Sequence, residues 1–398
     1  MDDQPVALVT DAERGSAVAA IRSLHAAGWH VIAAATDHRA PGLRSRSAAS
    51  SLVHADPTSH AARVADQLAQ SVAASRCALV FPMTDQMVRI CRRAPLPDHA
   101  VLATAPHDAY EAASDKWRTV ESAQRLGVPV PPSTLARGRD DVNQAAAQLG
   151  WPVVLKPRWS VTEGPEHLER HSVAVVSSAA ELPRLMTAMP DTHVVVQSFH
   201  EGAGVGVELL LDQGRVIAAF QHRRIREYPL RGGPSTLRVS EALDLDLLRW
   251  SSELLEELSW TGLAMVEFKV GPDGPSLMEI NARPWGSLPL ATRSGVDFPA
   301  LAAEVHMGRR PEPVAPTYRV GIRSRDLRLE LMWIAAVLRG AGANGVDHPP
   351  RAEAIRAALR LPLPGDGYDV LSARDLGASI ADVRQALRHL AKKARASS

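Results

Sequence analysis

The segment from Trp260 to Gly286, WTGLAMVEFKVGPDGPSLMEINARPWG, holds two acids, an amide and a guanidinium at spacings that suit a divalent cation and a phosphate. Apolar and polar residues alternate from Ala264 to Val270, so Met265, Glu267 and Lys269 share one face of a strand. The same rule groups Leu277, Glu279, Asn281 and Arg283 on the next strand, with Gly271-Pro272-Asp273-Gly274-Pro275 as the turn between them. A hairpin centred on Asp273 sets Glu267 opposite Glu279, with Cβ atoms about 4.5 to 5.5 Å apart. Two carboxylates that close repel each other, and a cation between them reverses the sign. Asn281 adds an oxygen on the same face, which suits Mg²⁺ held jointly with nucleotide phosphates. Arg283 points the same way and suits bidentate contact with phosphate oxygens. A slip of one residue would place the two acids on opposite faces, and the plainer alternative is a solvent-facing hairpin with ordinary surface acids.

These residues resemble the metal-binding end of the ATP-grasp superfamily, whose members carry an acid on one strand and Glu-x-Asn on the next. The longer stretch Met278 to Ser287, MEINARPWGS, is similar to one branch, the predicted carboxylate-amine ligases. The likeness spans about residues 5 to 306 and is strongest after residue 113. It implies that Glu267, Glu279 and Asn281 bind one or two Mg²⁺, with Mn²⁺ as an expected substitute, and that Arg283 contacts the transferred phosphoryl group. It also implies two nucleotide lysines, Lys116 and Lys156, and an adenine-reading segment at Gln197, Ser198 and Phe199. Glu201 or Glu208 would reach the ribose. Catalytic arginines are expected at Arg223 and Arg224.

Physical features accompany several of these assignments. Lys116 falls in the first turn of a helix, where the dipole disfavours a cation and a bound anion would explain it. Lys156 ends the apolar strand Val153 to Lys156, which taken alone reads rather as a snorkelling strand end. Arg223, Arg224, Arg226, Arg231 and Arg238 crowd sixteen residues around Gly232, Gly233 and Ser235, in the manner of an anion clamp for a carboxylate. Asp85 follows an apolar strand, either as a helix cap or as a group that holds a substrate's amino group. The loop from Arg158 to His171 has only Gly164, so Arg158, His167, Arg170 and His171 would stand in for backbone phosphate donors, or the loop orders with nucleotide.

The elements that must position these groups follow from the apolar runs. Val6 to Val9, Val31 to Ala35, Ala78 to Phe81 and Val101 to Ala103 read as strands of a parallel, doubly wound domain. The loop after the first strand, Thr10 to Ser16, has a single glycine, which argues against dinucleotide binding. Ser114 is the expected cap of a helix that runs to Leu126. Further expectations are a helix from Asp141 to Leu149, irregular chain from Pro157 to His171, and strands at Val173 to Val176 and Val194 to Gln197. A hairpin that turns at Asp212-Gln213-Gly214 should follow, then a basic loop from Gln221 to Ser240 and a helix from Leu243 to Leu258.

The expected fold is therefore α/β: an ATP-grasp fold with an N-terminal Rossmann-like domain (1–112), two catalytic subdomains (113–192 and 193–308) and a mainly helical extension (309–398). The closing helix, Ile380 to Ala396, reads as a solvated basic end.

With 398 residues, 45 Lys and Arg, and 44 Asp and Glu, the chain has several cores and no net field to draw it to nucleic acid or a membrane surface. Aromatic interleaving for RNA is absent apart from Tyr228. Two cysteines, Cys77 and Cys91, preclude a disulfide framework or a thiolate zinc site. No run approaches the roughly 20 apolar residues of a membrane helix, and the start lacks a secretory pattern, so a cytoplasmic protein is expected. Small-molecule carboxylate and amine substrates are the expected partners, and similar enzymes are often homodimers. The alternatives are a nucleotide-binding regulatory homologue without turnover, or a ligase-like enzyme that takes bicarbonate as its acid.

Overall fold

The computed structural model describes residues 4–164, 167–186, 193–230, 232–315, 317–340, 349–361 and 365–396. Arg231, one of the five clustered cations, lies outside them. No helix among the described residues is long and apolar enough to cross a membrane.

The N-terminal part forms a five-stranded parallel sheet in the order Ser50–Val53, His30–Ala35, Val6–Val9, Leu79–Phe81, Val101–Leu102. Four of these strands follow from apolar runs. Ser50–Val53 does not, because it is an edge strand whose residues are exposed or half-buried. The strand order reverses between Val6–Val9 and Leu79–Phe81, and such a switch point opens a crevice at the carboxyl ends of the strands. Thr10, Asp11 and Arg14 lie on one side of it, Thr84 and Asp85 on the other. The Thr84 hydroxyl bonds to an Asp11 oxygen at 3.0 Å across the gap.

A second sheet, antiparallel, orders Ala174–Val176, Val153–Pro157, His193–Ser198 and Ser133–Arg137, with the helix Gly138–Leu149 packing Val142 and Ala146 into one core with Ala136 and Val196. Between its strands lies a feature the sequence did not disclose. Val161–Glu163 and Leu168–Arg170 pair as a small antiparallel ladder where irregular chain was expected. Val161 and Leu168 are buried against Val64, Leu68 and Ile90 of the N-terminal part, which ties this ladder down.

The third sheet has seven strands, in the order Gly274–Asn281, Gly262–Gly271, Ala203–Asp212, Arg215–Glu227, Ser235–Glu241, Arg323–Arg325, Gly367–Tyr368. Gln213 and Gly214 both have positive φ, 51° and 81°, as a two-residue hairpin turn requires. The expected basic loop from Gln221 to Ser240 is instead two strands of this sheet. Irregular register at Arg224, Arg226 and Glu227 breaks the alternation that would have marked them.

After Gly308 the chain is mostly helical, with Leu327–Arg339, Arg351–Arg360 and Leu376–Ala396. It is not a detached tail, since Arg323–Arg325 and Gly367–Tyr368 extend the sheet. The last helix starts before the expected Ile380, and its inner face is buried at Ala378, Ala381 and Asp382 rather than solvated throughout.

Candidate functional site

Glu267 does stand opposite Glu279, with Met265 opposite Asn281. The route to that register differs from the expected one. Gly271 pairs with Gly274, so the turn has two central residues, Pro272 and Asp273, and its parity alone would match Glu267 with Met278. A bulge removes Met278 from the ladder, because Phe268 faces Leu277 while Glu267 faces Glu279. The bulge also corrects the grouping of Leu277 with Glu279. Leu277 turns to the opposite face, buried with Phe268, Val266 and Trp260.

The freed bulge is used. Lys156, nearly buried at the end of its strand, donates from Nζ to the Met278 carbonyl oxygen at 2.9 Å. Burial pushes its ammonium down to about 8 against the pull of Glu279, and Lys116 adds to the lowering. Burial drives Glu279 upward, but Lys116, Lys156, Arg283 and Arg224 together outweigh it, so its carboxyl sits below the ordinary range. Glu267 lies above it, through burial and the neighbouring Glu279 and Glu227. Among the described residues no three His, Cys, Asp or Glu side chains gather as a metal cage. Two carboxylates and the Asn281 amide fit an ion that takes its remaining oxygens from phosphates and water, as Mg²⁺ does.

Four cations surround these acids. Lys116 opens the helix Lys116–Leu126 and donates to the Ser160 hydroxyl at 2.6 Å. The cap of this helix is Asp115, which accepts from the Trp117 and Arg118 amides; Ser114 instead ends the preceding helix. Arg158 is spent on Asp115 in a forked contact at 2.7 and 2.9 Å, so it does not serve as a phosphate donor. Of the other expected loop cations, His167 meets Glu169 and His171 meets Thr162, while Arg170 and His171 line the cleft. Arg224 reaches Glu267 through one guanidinium nitrogen and Glu227 and the Gly233 carbonyl through another. Arg283 donates to Asp85 at 3.2 Å, and Thr84 rather than Asp85 caps the helix Asp85–Arg93.

Arg224 lies across strand Ala203–Asp212 because that strand offers no side chains there. A Cβ at Gly204 would come within 2.7 Å of Arg224, and one at Gly206 within 2.5 Å of His222. Gly206→Ala is expected to cost roughly 1 to 3 kcal/mol by overpacking, read as a lowered Tm.

Gln197, Ser198, Phe199 and His200 line the cleft where their strand leaves the second sheet. The Gln197 side chain is turned away to Ser133 at 2.8 Å, and its backbone is paired in the sheet with Ser133 and Val154. Neither expected ribose acid is placed to serve. Glu208 is fully buried, 2.6 Å from a His222 ring nitrogen and 3.1 Å from the Ser287 hydroxyl, and Glu201 is exposed outside the cleft lining.

Gly232, Gly233 and Ser235 sit on the cleft rim. Arg223 and Arg226 do not. Arg223 is on the opposite face from Arg224, paired with Glu241 at 2.5 Å, because neighbours on a strand point to opposite sides. Arg226 holds the C-terminal part, bonding Glu330 at 2.5 Å and Glu353 at 3.3 Å over the Trp333 ring. Arg224→Ala is therefore expected to lower nucleotide turnover by about 100-fold. Arg223→Ala, which loses one half-exposed ion pair, should change it by less than about fivefold.

The cleft that these residues line encloses about 1310 Å³. Residues 191–328 match a family model described as ATP-grasp in the biosynthetic pathway with Ter operon. The carbamoyl phosphate synthase large chain of Nostoc sp. is 27% identical over 324 residues, covering 73% of this chain and 28% of that protein. The chain thus spans under a third of that relative's length. Biotin carboxylase from Campylobacter jejuni, solved as a beta-gamma-ATP complex, has a TM-score of 0.63 at 18% identity over 80% of this chain and 74% of that one. Over residues 191–328 this chain is thus similar to the ATP-grasp family, and its fold is shared with the carboxylase structure. L-amino acid ligase from Bacillus licheniformis shares this fold, with a TM-score of 0.57 at 15% identity over 78% of this chain and 76% of that one.

Within this cleft several residues stand that sequence reasoning passed over. Asp11, Arg14 and Thr84 line it from the switch point, and Arg328, Asp382 and Gln385 from the C-terminal part. A signal for the first group was present: Thr10 to Arg14 directly follow a parallel strand, where such sheets bind ligands. For the second there was none.

Proposed function

We propose that this chain is an ATP-grasp enzyme, an Mg²⁺-dependent, ADP-forming ligase that activates a carboxylate as an acyl phosphate and joins it to an amine. The observation that supports this most is the convergence on one cleft of Glu267 opposite Glu279, Asn281, Lys116, Lys156, Arg224 and Arg283. Mg²⁺, bound by Glu267, Glu279 and Asn281, would neutralise charge on the phosphates. Lys116 and Lys156 would hold those phosphates, with the adenine against the Gln197 to Phe199 backbone. A carboxylate oxygen attacks the γ-phosphorus, the bond to ADP breaks, and Arg283 meets the charge on the transferred group. The amine nitrogen then attacks the acyl carbon, phosphate departs with the former carboxylate oxygen, and the amine loses a proton. Positioning and charge neutralisation carry this chemistry, in keeping with a site of cations and acids.

A panel of amino acids, dipeptides, hydroxy acids and bicarbonate, with and without added amines, tests the reading by coupled measurement of ADP. Amine-dependent ADP release with Mg²⁺ present is expected. Stimulation by bicarbonate alone would move the assignment to a carboxylating enzyme, and absence of any stimulation would favour a regulatory homologue.

A further inference from the structure

The C-terminal part brings an unpaired acid to the cleft. Asp382 lies on the inner face of the helix Leu376–Ala396, is only 9% exposed, and lines the cleft beside Gln385, Asp326 and Asp369. Its carboxylate has no hydrogen-bond or ion-pair partner among the described residues. The other acids that line the cleft are engaged. Asp326 caps the helix Leu327–Arg339, and Asp369 holds Arg238 and Ser324. Asp11 bonds Thr84, Glu13 accepts from Thr36, Asp37 from Arg39, Asp56 from Thr58, and Asp85 from Arg283. Glu227 and Glu267 meet Arg224, and Glu279 meets Asn281.

The Asp382 oxygens are not among the fully enclosed side-chain atoms, so they open to the cleft, where a nearly buried carboxylate is poorly hydrated and favours a cationic partner. Nearby charge selects the same sign, because Asp326 and Asp369 add to the negative field at Asp382. Arg14 and Arg328 also line this end with no carboxylate at ion-pair distance among the described residues; Asp11 acts on Arg14 at longer range, and Arg328 is close enough to act on both Arg14 and Asp382. The cleft, at about 1310 Å³, exceeds the roughly 300 to 1,000 Å³ of a pocket for one small ligand.

We infer that Asp382 binds the ammonium group of an amino-acid substrate whose carboxylate faces Arg14 and Arg328, so that the C-terminal part forms the amino-acid end of the cleft. The inference names a substrate class for the ligase reading above and rests on it. Burial, Asp326 and Asp369 push the Asp382 carboxyl up to about 7, while Arg328 and Arg22 oppose them. An incoming ammonium would restore its charge.

Direct binding of the twenty common amino acids and their N-acetyl derivatives, measured calorimetrically with ADP and Mg²⁺ present, tests this. At least one free amino acid should bind about tenfold or more tightly than its N-acetyl form, the factor for a hydrogen bond to a charged group. Asp382→Asn should erase that preference and leave ADP affinity unchanged, and Asp382→Glu should keep part of it. Because the folded carboxyl resists ionisation, its cost grows as pH rises from about 4 through 7. Asp382→Asn should therefore raise Tm more at pH 8 than at pH 5, which also shows that the variant folds. Equal binding of free and acetylated forms, absence of amino-acid binding, or an unchanged preference in Asp382→Asn overturns the inference. If ADP still forms with acids that lack an amino group, the ligase reading survives that result; if no acid of either kind supports ADP formation, that reading fails instead.

Discussion

Glu279→Gln is expected to lower Mg²⁺-dependent ADP formation by at least about 100- to 1,000-fold, the scale of losing one preorganised electrostatic contact in an active site. Glu279 faces Glu267 across the ladder and lies in the field of Lys116, Lys156, Arg283 and Arg224, which keep it ionised despite burial. Glutamine preserves shape and the neighbouring Asn281 contact but removes the charge that a divalent ion needs. Circular dichroism should report an intact fold, and ATP binding should lose its Mg²⁺ dependence. Turnover near that of the unaltered protein would remove Glu279 from the site.

Arg283→Ala is expected to have an effect of similar size but in a different parameter. Its guanidinium is oriented by Asp85 at 3.2 Å just past the strand Gly274–Asn281, and in the proposed reaction it would meet charge that develops on the transferred phosphoryl group. Loss should therefore appear as a fall of about 100-fold or more in kcat with little change in KM for ATP. Arg283→Lys should recover only part, since an ammonium lacks the planar fork. Asp85→Asn, which loosens the guanidinium without removing it, should give a smaller loss of the same kind. An Arg283→Ala variant altered only in KM would point to ground-state nucleotide binding.

The hairpin was legible because alternation over Ala264 to Val270 marks the buried face and because two acids at matched distance from a turn are conspicuous. Its bulge was not, since Gly271 to Pro275 permits a turn of either parity and only packing of Leu277 against Phe268 selects one. The parallel sheet was read from four apolar runs, and its exposed edge strand was lost for want of one.

Arginines misled in both directions. In Arg215–Glu227 the crowding of cations concealed a strand and with it the fact that Arg223 and Arg224 face opposite ways. In Arg323–Arg325 a three-residue strand carries a buried arginine, paired with Asp366, that no hydropathy pattern would place in a sheet. Asp382 was hidden for a related reason. A single acid on an amphipathic helix reads as solvent-facing until long-range packing encloses it.

In the proposed reaction a carboxylate takes the γ-phosphoryl group of ATP. With an accepted carboxylate labelled by ¹⁸O, one labelled oxygen is predicted in the phosphate released for each ADP formed in the presence of amine. Phosphate free of label, or label found in AMP, would contradict it.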